Sequence, residues 1–155
     1  MSALIVEPVI GEGRIIPLPK SYLRIFKEEI LDMLGGLLID DEVQTGFGRA
    51  GRMFGIEHYG VELDIVTLAK AVAGGFSLDA CVAREEIAGS FGPGDHFSAF
   101  GGNPVSAAAA LKTIEIIERK RLHEEARIKG EYVMKRLREI QDRHPLIGDL
   151  TSSPP

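Results

Sequence analysis

Two residues that end apolar runs carry the most direct chemical suggestion in this chain. Asp41 closes the run Gly36-Leu37-Leu38-Ile39-Asp40, and Lys70 closes Asp64-Ile65-Val66-Thr67-Leu68-Ala69. Runs of this kind read as buried parallel strands, so the acid and the lysine would meet at one rim of an α/β sheet, where such folds bind ligands. A carboxylate there can pair with a protonated ring nitrogen, and a lysine amine can form a Schiff base with a carbonyl carbon. Gly74 and Gly75 follow closely and would let backbone approach a ligand. Partial burial of Lys70 is expected, and it would favour the neutral, nucleophilic amine.

Other residues offer weaker chemistry. Ser98-Ala99-Phe100-Gly101-Gly102-Asn103 leads into a helix start, which reads equally as an anion-binding terminus or as a plain capped entry. Glu7 and Glu12 flank a proline-glycine turn after the first apolar run and can share the rim with Asp41 and Lys70. Gly46-Phe47-Gly48-Arg49-Ala50-Gly51 matches the dinucleotide fingerprint, but a short helix follows it, and Lys70 stands where the ribose-binding acid belongs. A dinucleotide site on Gly46, Gly48 and Gly51 is therefore the lesser alternative. Cys81 reads as a small core residue, and the four histidines lack ligand spacing, so no metal is expected.

The elements that must position these residues follow from periodicity and punctuation. Ala3–Val6, Leu37–Asp40, Ile65–Leu68 and Ala80–Ala83 read as short buried strands. Between them lie an amphipathic helix with Tyr22, Leu23, Phe26, Ile30, Met33 and Leu34 on its apolar face, stopped by Gly35-Gly36, and one or two helical turns over Met53–Tyr59. A short helix over Arg84–Ser90 follows. Asn103-Pro104 is a cap and first-turn proline, opening a helix with Ala107, Ala108, Leu111, Ile114 and Ile117 inward. A last helix, from about Glu124 to Arg143, places Val133, Leu137 and Ile140 on one face and pairs Glu131 with Lys135 and Glu139 with Arg143. Alternation of strand and helix predicts an α/β fold with a mostly parallel sheet and flanking helices, one domain over residues 1–150, and a disordered tail over 151–155.

Composition bounds the partners. The chain has 155 residues, enough for one core, and a net charge of −5 with both signs interspersed, which argues against a nucleic-acid surface. A lone cysteine excludes an internal disulfide and fits a reducing cytoplasm, and no apolar stretch is long enough for a membrane span.

In order, Val6-Glu7-Pro8 with Gly11-Glu12-Gly13, Asp41-Glu42-Val43-Gln44-Thr45-Gly46-Phe47-Gly48-Arg49, Thr67-Leu68-Ala69-Lys70 and Phe100-Gly101-Gly102-Asn103-Pro104 resemble the class III pyridoxal-phosphate aminotransferases, the group of the 4-aminobutyrate, ornithine and alanine–glyoxylate enzymes. The resemblance runs from about Ala3 to Asp149. It implies a partial large domain of the fold type I transferases, with pyridoxal 5'-phosphate as cofactor. Lys70 would hold the cofactor as a Schiff base, Asp41 would pair with its ring nitrogen, Val43 would pack behind the ring, and Gln44 would lie near its phenolic oxygen. Ser98 and Ala99 would reach the phosphate bound by a second subunit of a homodimer, and Glu12 would act as the substrate gate. The implied reaction moves an amino group from an amino acid or amine to a 2-oxo acid.

Full-length members of the family are far longer, so the resemblance further implies a fragment with residues 122–150 leading toward a missing C-terminal domain, inactive alone. A non-catalytic α/β dimerisation module is the alternative. Ala99, Ala71, Ser77 and Asp79 depart from the family's usual threonine, glycine, proline and glycine. Loss of one charge-assisted phosphate hydrogen bond would weaken cofactor binding by about 1.5–3 kcal/mol.

Overall fold

The computed structural model describes residues 3–150; the tail over 151–155 lies outside them. Four strands form one sheet in the order β1 (Ala3–Val6), β4 (Leu37–Asp41), β5 (Ile65–Leu68), β6 (Ala80–Ala83). The first three run parallel, with Val6 opposite Asp40 and Asp41 opposite Thr67, whereas β6 returns antiparallel to β5. The mostly parallel sheet is as expected. The strands are less enclosed: β1 and β5 are only partly buried, and β6 exposes Cys81 and Val82. Cys81 is thus a surface residue and not part of the core, because β6 is an edge strand with one side of its ladder open.

A small antiparallel pair, β2 (Val9–Ile10) and β3 (Ile16–Pro17), closes the turn after β1. The next helix is one rod in three parts: α1 (Tyr22–Phe26), a π-helical turn (Lys27–Leu31) and α2 (Asp32–Leu34). The wider π turn rotates the following residues relative to a regular helix. Leu31 consequently joins Leu23 in the interior, while Met33 and Leu34 are exposed rather than inward. Gly35, at φ 61°, ends the rod in the left-handed conformation that glycine adopts without penalty.

Two apolar clusters hold the layers together. Leu23, Ile56 and Tyr59 pack with Val6, Leu18, Phe54, Val61 and Leu63, and the Tyr59 hydroxyl donates to the Pro8 and Leu18 carbonyls. Phe47, Val72, Ala73, Ala110 and Ile117 form the other, joining the glycine-rich loop to helix α4 (Pro104–Arg119). Asn103 caps α4 through its side-chain oxygen, which accepts from the Val105 and Ser106 amides. The buried stripe of α4 is Ser106, Ala110 and Ile117; Ala108 and Leu111 point outward instead, since the sheet side lies one residue round from the expected face.

After the short α3 (Glu85–Ala88), the loop to α4 is exposed throughout, with Phe97 and Phe100 each 86% accessible. Helix α5 (Leu122–Gln141) buries none of its residues completely, and Val133, Leu137 and Ile140 stay in contact with solvent. Its ion pairs include Arg127–Glu131, Lys129–Glu125 and Arg136–Glu139 in place of Glu131–Lys135 and Glu139–Arg143, and Arg143 bonds the Glu139 carbonyl. No helix among the described residues is long and apolar enough to cross a membrane.

Candidate active site

The parallel register of β4 and β5 determines where the chemistry collects. Asp41 is the last residue of β4 and sits opposite Thr67, and the chain passes Leu68 and Ala69 before turning at Lys70. Asp41 and Lys70 therefore lie past the same carboxyl-terminal edge of adjacent strands. Thr67 accepts from the Glu42 amide at 3.0 Å, extending the pairing beyond Asp41 and fixing the start of the following turn.

Within that turn the Asp41 carboxylate takes the Val43 amide at 3.0 Å on one oxygen, and no other donor among the described residues engages it. Lys70 adopts φ 48°, a left-handed backbone that costs a side-chain-bearing residue of order 1–3 kcal/mol and concentrates at functional sites. It heads the 3-10 turn Lys70–Ala73, whose Val72 and Ala73 are buried in the apolar cluster and hold the lysine at the rim. Lys70 is exposed, against the partial burial expected: it stands at the head of the turn after β5, next to an open cavity. Its amine makes no hydrogen bond or ion pair within the described residues.

Two open cavities flank Val43. One, of about 450 Å3, is bounded by Val43, Gln44, Lys70 and Ala71 together with Gly11 and Arg49. The other, of about 790 Å3, is bounded by Val43, Thr67 and Asp79 with His96, Ser98 and Gly102. Val43 is the shared wall, so an elongated ligand spanning both would rest on it. Ser98 reaches the second cavity; Ala99 lines neither.

Glu12 and Gln44 are brought together: the Gln44 amide donates to Glu12 Oε1 at 3.2 Å. This approach needs Gly11, where a Cβ would lie 2.6 Å from Gln44 Nε2, and Glu7 secures the same turn by accepting the Gly11 amide at 3.1 Å. Gly48 and Gly51 of the fingerprint-like loop have φ 90° and 85°, and a Cβ on them would press on the α5 backbone at His123 and Arg127. These two glycines serve loop–helix contact.

Sequence reading left out Glu42, which is 1% exposed beneath the site. Its two oxygens accept from the Thr45 hydroxyl and from the Ile56 amide at 2.8 Å, tying the turn after β4 to the 3-10 turn Gly55–His58. The signal available was the Glu42-x-x-Thr45 spacing, which an acid in a polar loop does not make conspicuous. Arg49 and Thr67 also join the cavity walls without having been assigned a role, and Asp79, noted only as a departure from the family's usual glycine, lines the second cavity.

With this geometry in view, comparison with known proteins is informative. The Aminotransferase class-III family model matches residues 1–153. The acetylornithine aminotransferase of Archaeoglobus fulgidus is 49% identical over 138 residues, covering 89% of this chain and 36% of that protein. The leucine/methionine racemase of Thermococcus litoralis is 45% identical over 150 residues, 97% of this chain and 34% of that one. Among solved structures, a transaminase from the marine bacterium Virgibacillus superposes with a TM-score of 0.91 at 37% identity, covering 98% of this chain and 35% of its own. The chain spans about a third of the length of these proteins.

Proposed function

Because the chain belongs to the class-III aminotransferase family, we propose that it supplies the cofactor floor of a pyridoxal 5'-phosphate-dependent transaminase and that Lys70 and Asp41 are its catalytic residues. The observation that carries this reading is the pairing on one sheet rim of a carboxylate with a free oxygen and a lysine in a strained backbone with a free amine. These residues fit the ring end of the cofactor. An acid for a cationic ring nitrogen, the apolar Val43 between two cavities, and an unpaired amine stand within one short stretch of rim.

When bound, the cofactor supplies an electron sink that stabilises negative charge at the substrate's α-carbon. Asp41 would hold the positive charge of the ring nitrogen by ion pairing, and the Val43 amide fixes the orientation of its carboxylate. Lys70 Nζ would hold the cofactor through its aldehyde carbon, and as a free amine it would move the proton at the substrate's α-carbon. Val43 would support the ring face. Gln44 would lie near the phenolic oxygen, and its amide donates to Glu12, the proposed substrate gate. The phosphate end is thinly provided within one chain, with Ser98 and Ala99 both exposed. A second copy in a homodimer would bring the 98–99 segment to it.

The substrates on this reading are an amino acid or amine and a 2-oxo acid, and the lone exposed Cys81 suits a reducing cytoplasm. The chain works with the remaining two-thirds of the family's length, and by itself it is inactive. The likeness to a racemase favours a specific second reading, in which the same lysine returns the proton to the α-carbon and no nitrogen is transferred. Incubating the chain, completed with the flanking segments of a relative, with 15N-labelled amino acid, unlabelled 2-oxo acid and heavy water separates the two. Transaminase chemistry moves 15N to the acceptor. Deuterium gain at the α-carbon with all 15N left on the donor overturns it in favour of racemisation.

A further inference from the structure

We propose that Asp40 is a neutral carboxylic acid whose proton is shared with the Glu42 carboxylate, and that this proton makes Asp40 a positioning residue for the turn carrying Val43 and Gln44. The inference starts from two acids on alternate residues at the end of β4, exposed by 0% and 1% respectively. Glu42 is satisfied as an acceptor by the Thr45 hydroxyl and the Ile56 amide. Neither oxygen of Asp40 meets any donor among the described residues. A buried carboxylate without donors or a cation neutralises itself by taking a proton.

Among the described residues no cation pairs with Asp40: Lys27, on the π-helical turn that packs against β4, is engaged with Asp32 and Asp64. Strands β1 and β5, which flank Asp40 through Val6 and Val66, contain no ionisable side chain. Glu7, just beyond β1, is engaged with the Gly11 amide. Glu57 accepts from the Phe54 amide, His58 bonds the Ala50 carbonyl, and the Tyr59 hydroxyl is turned to Pro8 and Leu18. The charged groups acting on Asp40 are Glu42 and Asp41, both acids. Burial, then the charge and hydrogen bond of Glu42, then Asp41 push the Asp40 carboxyl up to about 9.

As an acid, Asp40 gives Glu42 a third donor and removes the repulsion that would otherwise part them. Glu42 in turn anchors Thr45 and Ile56, the two ends of the loop behind Val43 and Gln44. As an ionised pair, the same residues would force that turn open. The sign of the pH dependence follows. The unfolded chain releases this proton near the ordinary value of 3.8 and the folded chain near 9, so the stabilisation is full below about 4 and is lost as pH rises through about 9.

The shared proton stands on the burial of both acids and the lack of donors at Asp40; only its positioning role rests on the transaminase reading. Carbon-detected NMR of the full chain labelled with 13C-aspartate tests it. At neutral pH one aspartate Cγ signal is expected at the protonated position, and it disappears in Asp40→Asn, whose amide still donates to Glu42. All Cγ signals at the ionised position would overturn the proposal. Between about pH 4 and 9 the wild-type folding constant is expected to fall up to tenfold per pH unit beyond that of Asp40→Asn. Equal slopes would also overturn it. For positioning, Asp40→Leu should speed amide exchange at Gly46 and Ile56 and Asp40→Asn should restore it; unchanged exchange in Asp40→Leu overturns that role. A Lys70 that fails to bind cofactor while the protonated signal persists would sink the transaminase reading and leave the proton pair standing.

Discussion

Asp64 illustrates how single residues hold the sheet, here at the end of the strands opposite the rim. Only 3% exposed at the entry to β5, it accepts from the Leu38 amide at 2.7 Å and pairs with Lys27 at 3.1 Å and Arg84 at 3.2 Å. Burial alone would raise its carboxyl, but the Leu38 amide and the two cations outweigh it and hold the group below its ordinary 3.8. The stability it contributes is thus present above that value and lost as pH falls through its lower folded one. Lys27→Met removes one partner while Arg84 and Leu38 remain, and should cost about 1.5–3 kcal/mol in urea unfolding at neutral pH. Glu42 belongs to the same class of buried, satisfied acid. Sequence reading identified Asp41, Lys70 and Gln44 because their order is distinctive, and it passed over Asp40, Glu42 and Asp64. A side chain's burial depends on what folds over it, and an acid in sequence reads as solvated.

At the scale of elements, Gly51 is the most exposed to test. With φ 85° it lies so close to the first half of α5, a helix that buries no residue fully, that an added Cβ would stand 3.1 Å from Arg127 Cβ. Gly51→Ala combines backbone strain with that clash, worth roughly 1–3 kcal/mol. Hydrogen exchange should accelerate in α5 while β4 and β5 keep their protection. The strands, the Asn103-Pro104 helix entry and the Gly35 stop were legible, since apolar runs, a cap and a left-handed glycine are local signals. The π turn was not, because one widened turn leaves the apolar spacing almost unchanged while moving Leu31 inward and Met33 outward. Nor was the direction of β6, a four-residue strand whose pairing is decided by its connection. The α5 face was read correctly as apolar, but what would cover Val133, Leu137 and Ile140 is not in the described residues.

The molecule as a whole presents surfaces that a finished sheet protein would cover. Among the described residues the outer edges of β1 and β6 are both unpaired, and the loop aromatics and the α5 stripe add apolar area. Open edges and apolar patches drive self-association. In sedimentation velocity the chain should form larger species as concentration rises, and co-expression with the flanking segments of a relative should suppress them. A single monomeric boundary at all concentrations would speak against this.

The central claim is that Lys70 is the residue prepared to hold the cofactor. It is tested most directly by treating the chain with pyridoxal 5'-phosphate, reducing with borohydride and mapping the modified lysines by mass spectrometry. Preferential modification of Lys70 over exposed lysines such as Lys112, Lys129 and Lys135, lost in Lys70→Ala and weakened in Asp41→Asn, is the predicted result. Labelling spread over the surface lysines with Lys70 unmodified would contradict it.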